Sequence, residues 1–175
     1  MNLHDKAKAI KAVIMDVDGV LTDGGIGYGC GSDDEIKFFN VRDGLGIKLL
    51  YRNGISTAVL SGRASKANRR RAEELGIQVI VENCSNKRQG LLDICQQLSI
   101  TPEECMYIGD DLIDLVPLQL AGIGVAVGDA VEEAKLCADW IMEHPGGKGA
   151  VREAATRLLK EKGIWDSIIQ GYLDR

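Results

Sequence analysis

Carboxylates, a serine and a lysine occur along this chain in an order that suits the transfer of a phosphoryl group. Asp16 and Asp18 stand two residues apart in the motif Asp-Val-Asp-Gly. Further along come Ser61, Lys87 and the Gly-Asp-Asp of residues 109–111. Together they offer a nucleophile, an acid, a hydroxyl clamp, a cation and a metal ligand, which phosphoryl transfer through an aspartyl-phosphate requires. The sequence therefore predicts a phosphatase.

The first aspartate pair follows the apolar residues 12–15, which predict a strand buried on both faces. A two-residue spacing on an extended backbone points both carboxylates the same way. Like charges this close are costly unless a cation neutralises them or one holds a proton. We expect Asp16 to attack phosphorus beside Mg²⁺, while Asp18 protonates the departing oxygen and then deprotonates the hydrolytic water. The alternative is a pair of turn carboxylates that cap the next segment.

A serine and a lysine are the next candidates for contact with a phosphate. Ser61 and Gly62 follow the apolar residues 57–60 and are predicted to open a helix, where a hydroxyl and backbone N–H groups would cradle phosphate. A simple N-cap is the alternative for Ser61. Lys87 lies near the start of a helix beginning around Asn86, where the helix dipole disfavours a cation. Neutralisation of phosphate would explain this lysine; a solvated surface lysine is the alternative.

Three carboxylates after the apolar residues 106–108 form the strongest local signal in the chain. Oxygen ligands suit Mg²⁺, which commonly takes only one or two carboxylates and keeps several waters. The predicted metal ligands are Asp16, Asp18 and Asp110. Asp111 is expected to lie behind the metal, and Asp114 to orient water or Lys87. As an alternative, Asp114 could cap a short helix whose first turn contains Pro117.

Alternating strand and helix patterns position these residues. Beyond 12–15, strand-like runs lie at 57–60, 79–81, 106–108, 125–127 and 140–142. Helical patterns lie at 46–52, 65–75, around 86–99, 115–121, 130–137 and 150–162. This alternation predicts an α/β, Rossmann-like fold with a doubly wound, mostly parallel sheet. Ligands of such sheets bind beyond the carboxyl ends of the strands, where Asp16, Ser61 and Asp110 would lie.

Residues 24–41 break this alternation directly after the first aspartate pair. Apolar side chains, among them Tyr28 and Phe38, flank a cluster of glycine, serine and aspartate, which predicts a β-hairpin with a longer loop. A protruding apolar hairpin needs a cover, and we expect another copy of the chain to supply it. The alternative is a hairpin that folds back on its own sheet.

Composition narrows the class of protein. The 175 residues suit one domain, predicted to span 1–175, and the 45% hydrophobic and 27% charged residues are typical of a globular protein. A net charge of −5 argues against a nucleic-acid partner. No apolar stretch approaches the roughly 18 residues of a membrane span, and the charged start does not resemble a signal peptide. Five cysteines without a Cys-x-x-Cys pair favour a reducing, cytoplasmic location.

The ordered motifs resemble those of the haloacid dehalogenase superfamily of phosphatases across essentially the whole chain. Within this superfamily, the chain more narrowly resembles small members without a large cap domain, which remove the phosphate from a phosphorylated eight-carbon 3-deoxy-2-keto sugar acid. The narrower resemblance lies in residues 16–24, 41–44, 61–63 and 146–153. The resemblance implies an HAD-like fold, Mg²⁺, a phosphorylated sugar acid as substrate and a role in lipopolysaccharide precursor synthesis. It also implies a homotetramer whose hairpins pack together and whose active sites are completed by a neighbouring subunit.

Two questions about the substrate stay open at this point. The same pattern occurs in phosphatases of nine-carbon sugar acids, although Ser61-Gly62-Arg63 with Arg71 looks more like the eight-carbon enzymes. A sugar acid also carries a carboxylate remote from its phosphate, and the planar fork of arginine binds carboxylates well. The candidates for this contact are Arg63, Arg71, Lys148 and Arg152. Each could equally be a solvated surface cation.

Two other classes of protein share part of this pattern. A phospho-receiver module also combines aspartates, Mg²⁺ and a lysine on a parallel sheet, but its phosphorylated aspartate follows a middle strand, where this chain carries Ser61. A catalytically silent oligomerisation module would have no reason to cluster costly carboxylates around Asp16 and Asp110. The order of the motifs therefore favours the enzyme.

Overall fold

The computed structural model describes residues 2–29 and 35–174. Its strands are β1 (Ala12–Met15), β2 (Gly27–Tyr28), β3 (Glu35–Ile36), β4 (Ser56–Leu60), β5 (Val79–Val81), β6 (Cys105–Gly109), β7 (Ile123–Ala126) and β8 (Trp140–Ile141). Its helices are α1 (Leu3–Ala9), α2 (Val41–Arg52), α3 (Lys66–Leu75), α4 (Lys87–Leu98), α5 (Leu115–Leu120), α6 (Glu132–Cys137), α7 (Ala150–Glu161) and α8 (Trp165–Leu173). All of the predicted strands and helices are present, and α1 and α8 are additional.

The larger sheet has the order β5-β4-β1-β6-β7-β8, and neighbouring strands are parallel throughout. The chain builds outward from β1 through β4 to β5, then returns to the other side of β1 with β6. The strand order therefore reverses between β1 and β6, and parallel sheets bind ligands in the crevice at such a point. The prediction of a doubly wound parallel sheet is confirmed.

The middle of this sheet forms the core of the described structure. Every residue of β1, β6 and β7 is buried, which explains why their sequences are continuous apolar runs without alternation. Helix α2 packs against α7. Both helices contribute fully buried leucines, Leu50 from α2 and Leu158 from α7, to the same core. The carboxyl ends of the central strands are thus held on a rigid platform.

Two predicted helix starts differ from the structure. Helix α2 begins at Val41, five residues earlier than its apolar pattern indicates, because the side chain of Asn40 caps it by accepting from the N–H of Arg42 at 2.8 Å. The prediction that Ser61 opens a helix is wrong. Helix α3 begins at Lys66 and is capped by Ser65, whose hydroxyl accepts from the backbone N–H of Ala67.

The hairpin prediction is confirmed for the part of 24–41 that the structure describes. Strands β2 and β3 pair antiparallel, and their connecting residues 30–34 lie outside the described ranges. Tyr28 and Phe38 are 75% and 77% exposed, whereas Phe39 packs against the core. Within the described ranges, every helix is too short or too polar to cross a membrane.

Candidate active site

The carboxyl ends of three adjacent strands converge on one cleft. Asp16 follows β1, Ser61 follows β4 and Asp110 follows β6, and β1 lies between the other two strands. The cleft has a volume of about 190 Å³. It is lined by Asp16, Asp18, Ser61, Gly62, Arg63, Asp110, Asp111 and Ile113. The sheet thus brings together the residues that the sequence predicted at its edge.

Lys87 lies at the centre of a buried ion-pair network. Its Nζ is 2.6 Å from Oδ2 of Asp16 and 2.6 Å from Oδ1 of Asp114, and all three side chains are at most 5% exposed. Burial alone would lower the pKa of Lys87, but the charges of Asp16 and Asp114 outweigh that effect and raise it. The lysine is therefore a fixed positive charge beside Asp16, as its position at the start of α4 suggested.

Asp114 has its hydrogen-bonding capacity filled by the protein. Beyond Lys87, its carboxylate accepts from the hydroxyl of Tyr107 at 2.6 Å and from the backbone N–H groups of Asp110 at 3.0 Å and Asp111 at 3.3 Å. Asp114 occupies the N-cap position of α5, but its side chain makes no capping bond to that helix, so a side-chain cap of α5 does not explain this aspartate. Asp114 orients Lys87 and the backbone that carries Asp110.

Three carboxylates form the group that could hold a metal ion. One oxygen each from Asp16, Asp110 and Asp114 lie within 4.8 Å of one another, whereas the carboxylate of Asp18 is not part of this group. Asp114 already accepts four hydrogen bonds. In contrast, the buried Oδ1 of Asp110 has no hydrogen-bond partner. An orphaned oxygen beside a second carboxylate fits a hard divalent cation held by Asp16 and Asp110.

The pKa values of the two candidate ligands indicate the same need for positive charge. Burial, then the charges of Asp114 and Asp16, raise the pKa of Asp110 to about 8. Burial raises the pKa of Asp16 to about 6, although Lys87 opposes this increase. One lysine does not balance three converging carboxylates, so a further cation would relieve the site.

Asp18 points to a different set of partners. Its Oδ1 lies 2.5 Å from Nζ of Lys37, and its Oδ2 lies 3.9 Å from Nε of Arg63. Arg63 also pairs with Glu35 on the hairpin. Lys37 is not among the residues predicted for the site, although alternation after β3 could have indicated it, since Lys37 and the exposed Phe38 must face opposite ways.

Ser61 lines the cleft although it does not start a helix. It is 1% exposed, its N–H donates to the carbonyl of Val81 at 2.9 Å, and its carbonyl accepts from the N–H of Cys84. Its hydroxyl accepts from the N–H of Arg63 at 3.2 Å. The backbone therefore fixes the hydroxyl beside Gly62 at the cleft wall.

The four candidates for a substrate carboxylate lie in three places, because Lys148 and Arg152 line the same pocket. Only Arg63, of these four, lines the cleft with Asp16. Arg71 donates to the carbonyl of Asn40 at 3.3 Å and lies over the ring of Phe39. Elsewhere, Lys148 pairs with Asp23 at 3.2 Å, and Arg152 donates to the hydroxyl of Thr156.

Two glycines allow the close packing that shapes the cleft. Gly19 has φ +89°, and a Cβ there would lie 2.0 Å from Oδ2 of Asp110. A Cβ at Gly146 would lie 1.7 Å from the carbonyl oxygen of Gly19. The loop before α7 therefore presses on the segment that follows Asp16, in an arrangement that only glycine permits.

Comparisons with known proteins agree with this site. Residues 76–153 match the family model of haloacid dehalogenase-like hydrolases. A 3-deoxy-D-manno-octulosonate (KDO) 8-phosphate phosphatase of Haemophilus influenzae is 42% identical over 174 residues, which cover 98% of this chain and 96% of the relative.

Solved structures give the same result. One is the 3-deoxy-D-manno-octulosonate 8-phosphate phosphatase from Moraxella catarrhalis in complex with magnesium, phosphate and KDO. It matches with a TM-score of 0.93 and 41% identity, and the match covers 97% of each chain. The cobalt-bound H. influenzae enzyme has a TM-score of 0.91 at 42% identity, over 96% of this chain and 99% of that chain. The chain therefore belongs to the haloacid dehalogenase-like hydrolases, in the family of the KDO 8-phosphate phosphatases.

Proposed function

We propose that this chain is a Mg²⁺-dependent phosphatase that hydrolyses KDO 8-phosphate to KDO and phosphate. The observation that carries the proposal is the buried Asp16–Lys87–Asp114 network, with Asp110 beside it, at the crevice between β1 and β6. The H. influenzae and M. catarrhalis relatives bear this activity in their names. The reaction would supply KDO for lipopolysaccharide precursor synthesis.

Asp16 acts as the nucleophile. Its carboxylate attacks phosphorus, the bond from phosphorus to the sugar oxygen breaks, and an aspartyl-phosphate forms on Asp16. Lys87, already 2.6 Å from Asp16, neutralises charge on the transferred group. A Mg²⁺ ion bound by Asp16 and Asp110 would supply further charge neutralisation at the phosphoryl oxygens. Because the Asp18 carboxylate lies outside the converging group, we assign it no metal contact through its side chain.

Asp18 transfers a proton in each of the two steps. It gives its proton to the departing sugar oxygen, then takes a proton from the water that attacks the phosphorus of the aspartyl-phosphate. That attack breaks the bond from phosphorus to Asp16 and restores the free carboxylate. The hydroxyl of Ser61 and the N–H of Gly62 would hold the phosphoryl oxygens, with Asp111 at the rim of the cleft.

A substrate panel tests the activity. We expect the protein with Mg²⁺ to release inorganic phosphate from KDO 8-phosphate with a higher kcat/KM than from a nine-carbon 3-deoxy-2-keto sugar acid 9-phosphate. Asp16→Asn should reduce kcat by at least about 10³-fold, because an amide does not form the acyl phosphate. A preference for the nine-carbon ester would overturn the assigned substrate, and substantial activity of the variant would overturn the nucleophile.

Removal of the metal tests the cofactor. Treatment with EDTA should abolish phosphate release, and added Mg²⁺ should restore it, because the converging carboxylates of Asp16 and Asp110 need a second cation. In differential scanning fluorimetry, Mg²⁺ should raise the Tm of the metal-free protein but not that of Asp110→Asn. Full activity without metal would contradict this role.

We also propose that four copies assemble through their hairpins and that the enzyme is cytoplasmic. Tyr28, Ile36 and Phe38 are between 49% and 77% exposed, and they lie on one short hairpin. Such an apolar surface is typical of a protein interface. A reducing compartment suits the cysteines, since Cys84, Cys95, Cys105 and Cys137 have free thiols.

A further inference from the structure

We propose that Lys37 is a positioning residue for catalysis, which holds Oδ1 of Asp18 so that Oδ2 exchanges the proton with the leaving sugar oxygen. This inference rests on the proposed function and deepens it. Lys37 belongs to the hairpin, outside the strand ends that supply Asp16, Ser61 and Asp110. The hairpin would thus contribute to the chemistry of its own chain.

The burial of Lys37 is the first observation. Its side chain is 0% exposed, and lysines are almost never fully buried unless they are paired. Its partners are Asp18, at 2.5 Å, and Glu35, at 3.7 Å. A buried ion pair is commonly no more stabilising than well-packed apolar residues. Stability therefore does not explain a lysine here, whereas control of the Asp18 carboxylate does.

The second observation concerns what else holds Asp18. Arg63 is 3.9 Å from its Oδ2, beyond hydrogen-bond distance. In the part of the chain that the structure describes, Lys37 is the hydrogen-bond donor to this carboxylate. The side chain of Asp18 is 21% exposed, so packing alone does not fix its rotamer. Without Lys37, the described residues would leave this carboxylate with the longer ion pair to Arg63 and no hydrogen-bond donor.

The hairpin itself is anchored, so Lys37 has a defined position. Glu35 pairs with Arg63 in the loop after β4. Phe39 packs against the core on the other side of Lys37. The lysine is therefore held at both flanks, and its ammonium group reaches Asp18 from a fixed direction. Since a displacement of about 1 Å can cost about 10²-fold in rate, such an anchor has a measurable effect.

A comparison of two substrates tests the proposal. For Lys37→Met we expect kcat on KDO 8-phosphate to fall about 10²-fold while KM changes less than about twofold, because the lost contact acts on proton transfer. With p-nitrophenyl phosphate the leaving group departs without a proton. The pre-steady-state burst of p-nitrophenolate should therefore keep its wild-type rate. Lys37→Arg, which keeps a charged donor, should retain more of the kcat.

Lys11→Met is the matched control. Lys11 also lies 2.5 Å from a carboxylate oxygen, that of Glu104, but its side chain is 61% exposed. The Lys11→Met variant should therefore have the kinetics of the wild type. A burst rate on p-nitrophenyl phosphate that falls as far as the kcat on KDO 8-phosphate in Lys37→Met, or no loss of that kcat, would overturn the proposal. If Lys37→Met does not fold, the same two rates are compared in Lys37→Arg, and the proposal again requires a larger loss on KDO 8-phosphate than in the burst on p-nitrophenyl phosphate. A wild type inactive on both substrates would instead overturn the proposed function.

Discussion

At the scale of single residues, the site is defined by an excess of negative charge. Asp16, Asp110 and Asp114 converge on one another, Lys87 pairs with the first and the last, and the pKa values of Asp16 and Asp110 are raised. These two carboxyls therefore bind protons more tightly in the folded than in the unfolded chain. By linkage, their contribution to the stability of the metal-free protein should fall as pH rises from about 4 through about 8.

Asp110→Asn tests this linkage. At pH 8 the ionisation of the buried Asp110 costs the folded wild type free energy, whereas the amide of the variant carries no charge. We expect the metal-free variant to have a Tm roughly 2–4 °C above that of the metal-free wild type, the shift that about 1 kcal/mol gives at this size. At pH 5 the difference should be smaller, and below about pH 4, where Asp110 is protonated in both the folded and the unfolded chain, it should vanish.

The control for this measurement is Asp166→Asn, in the exposed first turn of α8. It should leave the Tm nearly unchanged at both pH values. A lower Tm of Asp110→Asn than of the wild type at pH 8 would mean that the aspartate is stabilised by a partner other than a metal ion.

At the scale of elements, two stretches that carry the resemblance to the family also serve the fold. The carboxylate of Asp43, in α2, accepts from the N–H groups of Gly149 at 3.2 Å and Arg152 at 2.8 Å. It therefore caps the start of α7 from another helix. Burial raises the pKa of Asp43, although these two donors oppose the increase. Residues 41–44 and 146–153 thus depend on each other.

Asp43→Ala should destabilise the protein, because it leaves the first N–H groups of α7 without an acceptor. We expect a loss of about 1–2 kcal/mol and a fall in Tm of roughly 4 °C. Chemical denaturation and calorimetry measure it. Asp93→Ala, an exposed aspartate within α4, is the control and should change the Tm by less than about 1 °C. A wild-type Tm for Asp43→Ala would show that the cap contributes no stability.

The sequence predicted the central strands because their residues are continuously apolar, and it predicted the site because strand ends share one edge. It predicted α3 over 65–75, but it did not exclude a helix start at Ser61, since Ser61 and Ser65 both follow β4 and either could cap a helix. Nor did it predict that Lys37 reaches Asp18, because that contact depends on how the hairpin folds over the sheet edge. Tyr107 was missed because its hydroxyl acts within an apolar strand.

At the scale of the whole molecule, the hairpin presents apolar groups to the outside. Phe38 is 77% exposed, while its neighbour Lys37 faces inward. A single segment thus contacts the site on one side and is available to a second copy on the other. Assembly and the arrangement of Asp18 are therefore linked in the proposed tetramer.

Phe38→Asp should dissociate the proposed tetramer, because a charge would be buried in the apolar contact. Sedimentation velocity should show a smaller species at micromolar concentration. Leu136→Asp is the matched control, since Leu136 is also 77% exposed but lies on α6. An unchanged assembly of Phe38→Asp, or dissociation of Leu136→Asp alone, would place the contact elsewhere.

The size of the cleft has a consequence for how such enzymes diverge. About 190 Å³ accommodates a phosphate group but is small beside the roughly 300–1,000 Å³ of sites that enclose a whole small molecule. The sugar must then extend past the rim, where selectivity would depend on surface side chains and on neighbouring copies. New substrate preferences could therefore evolve by exchange of peripheral residues, while the reactive carboxylates stay as they are.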